Sequence, residues 1–171
     1  MILLITGRPG IGKTTLIKKV IKRSSLRWGG FYTQEIRVKN NRVGFKIISL
    51  SGEKGVLAHK DIKSKYKVGK YYINIHDLEV IAARSVNTAL IERKPVVIDE
   101  IGKMEIMSDK FKNAVNMAFQ ISPLVMATIS QHETSYINSI KRIENAILIE
   151  VTHENRDLLN KMILDLIKKV N

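Results

Sequence analysis

The residues Gly7-Arg8-Pro9-Gly10-Ile11-Gly12-Lys13-Thr14 have the spacing G-x-x-x-x-G-K-T, the pattern of a phosphate-binding loop, or Walker A motif. The chemistry explains each type. Glycines adopt backbone angles closed to other residues and let amide groups approach an anion. Successive N–H groups then form a concave nest for a β-phosphate, and the helix that follows points its positive end at the same place. Lys13 adds a full charge that reaches the β- and γ-phosphates. The Thr14 hydroxyl is placed to ligate Mg²⁺, and Thr15 to contact a phosphate nearer the base.

A second constellation lies far along the chain. Val96-Val97-Ile98 is an apolar run that ends in Asp99-Glu100. Asp99 is placed to hold Mg²⁺ in the manner of a Walker B aspartate. A carboxylate just past that aspartate, Glu100, can orient and deprotonate a water in line with the γ-phosphate. General-base help of this kind is worth roughly 10²–10⁴ in rate. Lys13 and Glu100 are therefore the candidate catalytic residues, and Thr14 and Asp99 the candidate metal ligands. The pair favours a hydrolase. A P-loop kinase of a nucleoside, nucleotide or other small acceptor must instead exclude water and bind a second substrate. A nucleic-acid-binding module that uses a triphosphate as switch or fuel is the third class left open.

Lesser candidates surround these. Thr128, Ser130 or His132 could sense the γ-phosphate, or could be strand-end polar groups satisfied by water. Transition-state charge calls for an arginine, and Arg142 and Arg156 are the candidate fingers. Arg8 either touches phosphate or faces solvent. Trp28, Phe31 and Tyr32 open a β-rich stretch, where aromatics more often pack the core than stack on a base.

The elements that must position these groups alternate between strand and helix. Ile2 to Thr6 reads as a strand buried on both faces. Lys13 to Arg23 carries Leu16, Ile17, Val20 and Ile21 at helical spacing. Phe31 to Val38 and Arg42 to Leu50 read as strands joined by the turn Lys39-Asn40-Asn41, and Val56-Leu57-Ala58 extends them to a hairpin or three-stranded meander. Lys60 to Lys70 is a loop or exposed edge. Asp77 is expected to cap a helix running to about Arg93, and Ser108 one running to about Ile121. Leu124 to Ile129 and Ile147 to Val151 complete the core strands. Asn155 to Val170 closes the chain as an amphipathic helix with Leu158, Leu159, Ile163, Leu166 and Ile167 on one side. The pattern predicts an α/β/α three-layer P-loop fold with a mostly parallel central sheet, in a single domain.

Composition sets outer bounds. The chain has 171 residues and no cysteine, with 29 basic and 16 acidic residues for a net charge of +13. No disulfide scaffold or cysteine-held metal is possible, and a cytoplasmic location is the simplest fit. The apolar opening run is too short for a membrane span or signal peptide, so no membrane association is expected. The positive field favours anionic partners. The lysines are spread along the chain, so a solvated basic surface is expected rather than a nucleic-acid footprint.

With these motifs in place, the sequence resembles the small nucleoside-triphosphatase family of thermophilic archaea and bacteria, which has a cancer-related animal member. The resemblance rests on Gly7 to Leu16, Gly30-Phe31-Tyr32-Thr33 leading into Glu35-Ile36-Arg37, and Arg42-Val43-Gly44-Phe45. It continues through Gly55-Val56-Leu57-Ala58, Val68-Gly69-Lys70-Tyr71 and Thr152 with Glu154-Asn155-Arg156-Asp157. The most specific stretch is Val97-Ile98-Asp99-Glu100-Ile101-Gly102-Lys103-Met104-Glu105. The resemblance implies slow hydrolysis of ATP, GTP, CTP and UTP with loose base preference. It also implies that Val96 to Lys103 is the second nucleotide-site segment, with Gly102 and Lys103 beside the γ-phosphate. Tyr72-Ile73-Asn74-Ile75-His76 departs from the family pattern, which bears on base preference if that loop touches the base.

Overall fold

The computed structural model describes residues 1–169. Its strands are β1 (Ile2–Thr6), β2 (Gly29–Val38), β3 (Asn41–Ser49), β4 (Lys54–His59), β5 (Lys67–Val68), β6 (Tyr71–Ile73), β7 (Val96–Ile101), β8 (Val125–Ile129) and β9 (Ala146–Glu150). Its α-helices are α1 (Lys13–Arg23), α2 (Ile75–Asp77), α3 (Arg84–Ile91), α4 (Asp109–Ile121), α5 (Ser135–Lys141) and α6 (Arg156–Lys168). A π-helical segment, Leu78–Ala83, joins α2 to α3.

One sheet carries all these strands in the order β5-β6-β4-β3-β2-β7-β8-β1-β9. From β2 to β9 the neighbours run parallel. From β2 outward through β3, β4, β6 and β5 they run antiparallel. The parallel core and the inserted meander are the expected fold class. Period-two alternation explains how the core strands bury both faces. Ile2 and Leu4 of β1 and Val96 and Ile98 of β7 pack under the π-helical segment, α3, α4 and α5. Leu3, Ile5 and Val97 pack on the opposite face with Leu16, Ile17 and Val20 of α1 and Leu159, Ile163 and Ile167 of α6. Among the described residues no helix is long and apolar enough to cross a membrane.

Several local expectations are corrected. Strand β2 begins at Gly29 and does two jobs: Gly29 to Phe31 pair in parallel with β7 on one edge, and Phe31 to Val38 pair antiparallel with β3 on the other. The helix after β6 is capped by Asn74, whose side chain accepts from Asp77 N, not by Asp77. The Asp77 carboxylate accepts instead from Val56 N at 2.8 Å, tying helix to meander. Leu158 is 73% exposed and lies off the buried side of α6. The expected end of that helix at Val170 lies outside the described residues.

Candidate active site

The phosphate loop bridges β1 and α1. Gly12 caps α1 at φ 110°, a left-handed angle that a side chain resists. Ile11 is buried, so the loop is anchored on its inner side while Pro9 and Gly10 face a cavity. The Lys13 ammonium donates to Gly7 O at 2.9 Å and Arg8 O at 3.3 Å, holding the lysine across the loop. A phosphate in the nest would meet that charge directly.

Asp99 sits at the end of β7 with 1% exposure. Thr14 Oγ1 donates to its Oδ2 at 2.8 Å, and Thr33 N donates to the same oxygen at 3.3 Å. Strand β8 lies between β1 and β7, so Thr128 comes alongside and donates to Asp99 Oδ1 at 2.6 Å. Burial pushes the Asp99 carboxyl above the usual carboxylate range, against the pull of Thr128, Thr14, Thr33 and the Lys13 charge. A hydroxyl and a carboxylate oxygen in contact are the donor set a hard divalent cation accepts alongside phosphate oxygens and waters. Thr14 and Asp99 thus fit a Mg²⁺ ion, and their contact carries that fit.

Glu100 turns the other way, onto the wall of the same cavity as Gly12, Lys13 and Thr14. Its carboxyl is pushed up chiefly by desolvation, with Asp99 adding to the rise and Lys13 opposing it. That is the direction a general base working near neutral pH requires. Behind it, Gly102 N donates to Glu105 Oε2 at 3.1 Å. A methyl group at Gly102 would lie 3.0 Å from that oxygen and 3.2 Å from Glu100 Oε1. Glycine therefore leaves room for both carboxyls. Glu105 is buried, and desolvation with the nearby Glu100 charge pushes its carboxyl up to about 8.

The cavity has a volume of about 670 Å³. It runs from the phosphate loop past Glu100 to Ser130, Gln131 and His132 on one side and to the β2–β3 ribbon on the other. Ser130 and His132 are joined by His132 N donating to Ser130 Oγ at 3.2 Å. Thr15 also lines the cavity.

Other expected site residues lie elsewhere. Val96, Val97, Ile98 and Ile101 are wholly buried in the core. They hold the segment in place and offer no surface to a ligand. Arg8 and Lys103 are exposed and lie outside the cavity lining. Neither expected arginine finger reaches the cavity. Arg142 follows the last turn of α5, which Ile137 and Ile140 anchor, and its side chain is exposed. Arg156 opens α6 with its N–H on Thr152 O and its side chain exposed. The arginines that do line the cavity are Arg37 and Arg42. Their signal in the sequence was a pair of arginines around a turn with Glu35 two residues before the first. Trp28 and Phe31 are core residues. Trp28 Nε1 donates to Ser24 Oγ, and Phe31 meets Phe111 edge to face at 5.9 Å. Tyr32 lies under the Lys18 ammonium, 3.9 Å from the ring centre.

Known proteins resemble this chain over nearly its whole length. A family model described as NTPase matches residues 2–164. The chain is 47% identical over 168 residues to the nucleoside-triphosphatase THEP1 of Thermotoga sp. strain RQ2, covering 98% of this chain and 96% of that protein. The crystal structure of THEP1 from the hyperthermophile Aquifex aeolicus superposes with a TM-score of 0.89 at 40% identity, over 97% of this chain and 98% of that one. The solution structure of a human cancer-related nucleoside triphosphatase gives a TM-score of 0.85 at 30% identity, over 99% and 98% of the two chains.

Proposed function

This chain belongs to the NTPase family, and we propose that it is a Mg²⁺-dependent nucleoside-triphosphatase that cleaves the terminal phosphate of ATP, GTP, CTP and UTP with loose base preference. One observation carries the reading. Glu100 shares a cavity wall with Lys13 and Thr14, while its neighbour Asp99 is bonded to Thr14. The residues read as base, phosphate clamp and metal-binding pair thus meet at one cavity, which supports the reading.

Each residue has a defined part. The loop amides and the Lys13 ammonium hold the β- and γ-phosphates. Thr14 and Asp99 would hold Mg²⁺, which supplies positive charge to the phosphate oxygens when bound. Thr128 and Thr33 fix the Asp99 carboxylate. Glu100 accepts a proton from a water as its oxygen forms a bond to the γ-phosphorus. The bond from that phosphorus to the bridging oxygen breaks, and the nucleoside diphosphate leaves with the electron pair. The loose base preference has support in the lining, in which charged and polar groups and loop glycines outnumber the two aromatic rings, Phe45 and His132.

The test is phosphate release from each of the four ribonucleotides with Mg²⁺, with and without RNA and small acceptors. Free phosphate should appear from all four without any acceptor. Glu100→Gln should retain nucleotide binding and lose roughly 10²–10⁴ in turnover. Unchanged hydrolysis in that variant, or phosphate recovered on an acceptor, defeats the reading.

A further inference from the structure

The cavity extends from the phosphate loop along the β2–β3 ribbon. Strand β2 passes Asp99 at Thr33, and the alternate residues Glu35 and Arg37 continue along the cavity wall. Arg42 and Phe45 reach the same wall from β3. Arg37 Nε and Nη2 lie 2.8 and 2.6 Å from Glu35 Oε2, and Arg42 Nη1 lies 2.9 Å from Glu35 Oε1. Two guanidinium groups thus share one carboxylate and leave one positive charge over.

Arg42 is also aimed. Its Nε donates at 3.0 Å to the hydroxyl of Tyr71, a residue only 6% exposed. Its guanidinium lies 5.2 Å from the Phe45 ring centre and 5.8 Å from that of Tyr71. Its Nη2 carries no hydrogen bond among the described residues. Arg37 Nη1 also donates to Asn40 O at 2.8 Å and the Tyr71 hydroxyl to Arg42 O at 3.3 Å, which ties down the hairpin, while the exposed ion pairs themselves add only about 0–1 kcal/mol. A solvated ion pair also needs no buried tyrosine hydroxyl behind it. A rigid, planar, cationic fork on a cavity wall suits a phosphate oxygen pair.

We propose that Glu35, Arg37 and Arg42 form a second anion subsite of this cavity, taking a phosphate group beside the triphosphate held by the loop. The ligand is a phosphate-type anion: either the orthophosphate that hydrolysis releases or the phosphate of a second organic molecule. Glu35 holds both guanidinium groups in place and yields one of them to the incoming anion. The first source rests on the hydrolase reading, whereas the subsite itself does not.

The test uses the full chain with Mg²⁺ and a saturating non-hydrolysable triphosphate analogue. Inorganic phosphate and, separately, ribose 5-phosphate are titrated calorimetrically into wild type and the Arg37→Gln/Arg42→Gln double variant. Thermal unfolding confirms that the variant is folded. Phosphate should bind wild type alongside the analogue, and about tenfold or more weakly in the variant, the loss of one or two charge-assisted hydrogen bonds. Absence of binding of both phosphate and ribose 5-phosphate to the analogue-loaded wild type, or equal binding by wild type and variant, overturns the proposal. Tighter binding of ribose 5-phosphate than of phosphate identifies a second organic molecule as the source. The reverse order identifies the released phosphate. Should the analogue itself not bind wild type, the hydrolase reading fails. The difference between wild type and variant in phosphate titrations without nucleotide then decides the subsite.

Discussion

Thr128 Oγ1 donates to Asp99 Oδ1 at 2.6 Å from a β8 position with no solvent exposure. The bond joins two strands that are neighbours in the sheet though far apart in the chain. It also fills the side of the carboxylate that faces away from Thr14 Oγ1 and Thr33 N, both of which donate to Oδ2. Burial favours the protonated form of Asp99, and these donors oppose it.

Removing the Thr128 hydroxyl should therefore weaken the metal site without opening a cavity. Thr128→Val keeps the volume and deletes a hydrogen bond to a charged group, worth roughly 1.5–3 kcal/mol. The Mg²⁺ concentration for half-maximal phosphate release should rise by about tenfold or more. A Mg²⁺ titration of phosphate release at saturating nucleotide checks this. An unchanged midpoint would show that Asp99 is positioned without Thr128.

Both motifs at the centre of this site were legible in the sequence because each is local. The loop from Gly7 to Thr14 and the run from Val96 to Glu100 each carry their spacing within a few residues. What lies between them was not legible. Thr128 was one of three polar candidates at a strand end, and only the insertion of β8 between β1 and β7 selects it for Asp99. The parallel pairing of β2 with β7 was not legible because Gly29 and Gly30, which make most of it, carry no side chain to mark a strand or its partner. Asn74 and Asp77 are both cap residues by type, and tertiary contact decides between them: the Val56 amide claims the Asp77 carboxylate. Arg37 and Arg42 stood only among the residues that carry the family resemblance, because the hydroxyl that aims Arg42 belongs to Tyr71, 29 residues away.

Gly102 offers a sharper test of the base than a charge change. A methyl group there meets Glu105 Oε2 at 3.0 Å and Glu100 Oε1 at 3.2 Å. Gly102→Ala must therefore displace one carboxyl or the other. A shift of Glu100 by a few tenths of an ångström should lower kcat by up to about tenfold, with KM changed far less because the phosphate clamp is untouched. Steady-state kinetics of the variant separates the two constants. Equal kcat with raised KM would place the strain on nucleotide binding instead.

Glu105 makes stability depend on pH in a direction opposite to that of an ordinary paired carboxylate. Its carboxyl is pushed from 4.5 up to about 8 in the fold. Between those values the folded state keeps a proton that the unfolded chain has released. The unfolded state then binds fewer protons, so stability falls as pH rises, by up to roughly 1.4 kcal/mol per pH unit from this group. Glu105→Gln cannot lose that proton, and its amide oxygen can still accept from Gly102 N. The variant should gain on wild type steadily as pH rises through this window, the gap flattening above about 8. Urea denaturation of both proteins at about pH 5, 6.5 and 8 measures the gap. Parallel pH profiles would show that Glu105 is already ionised in the folded protein, with a compensating partner inside the site.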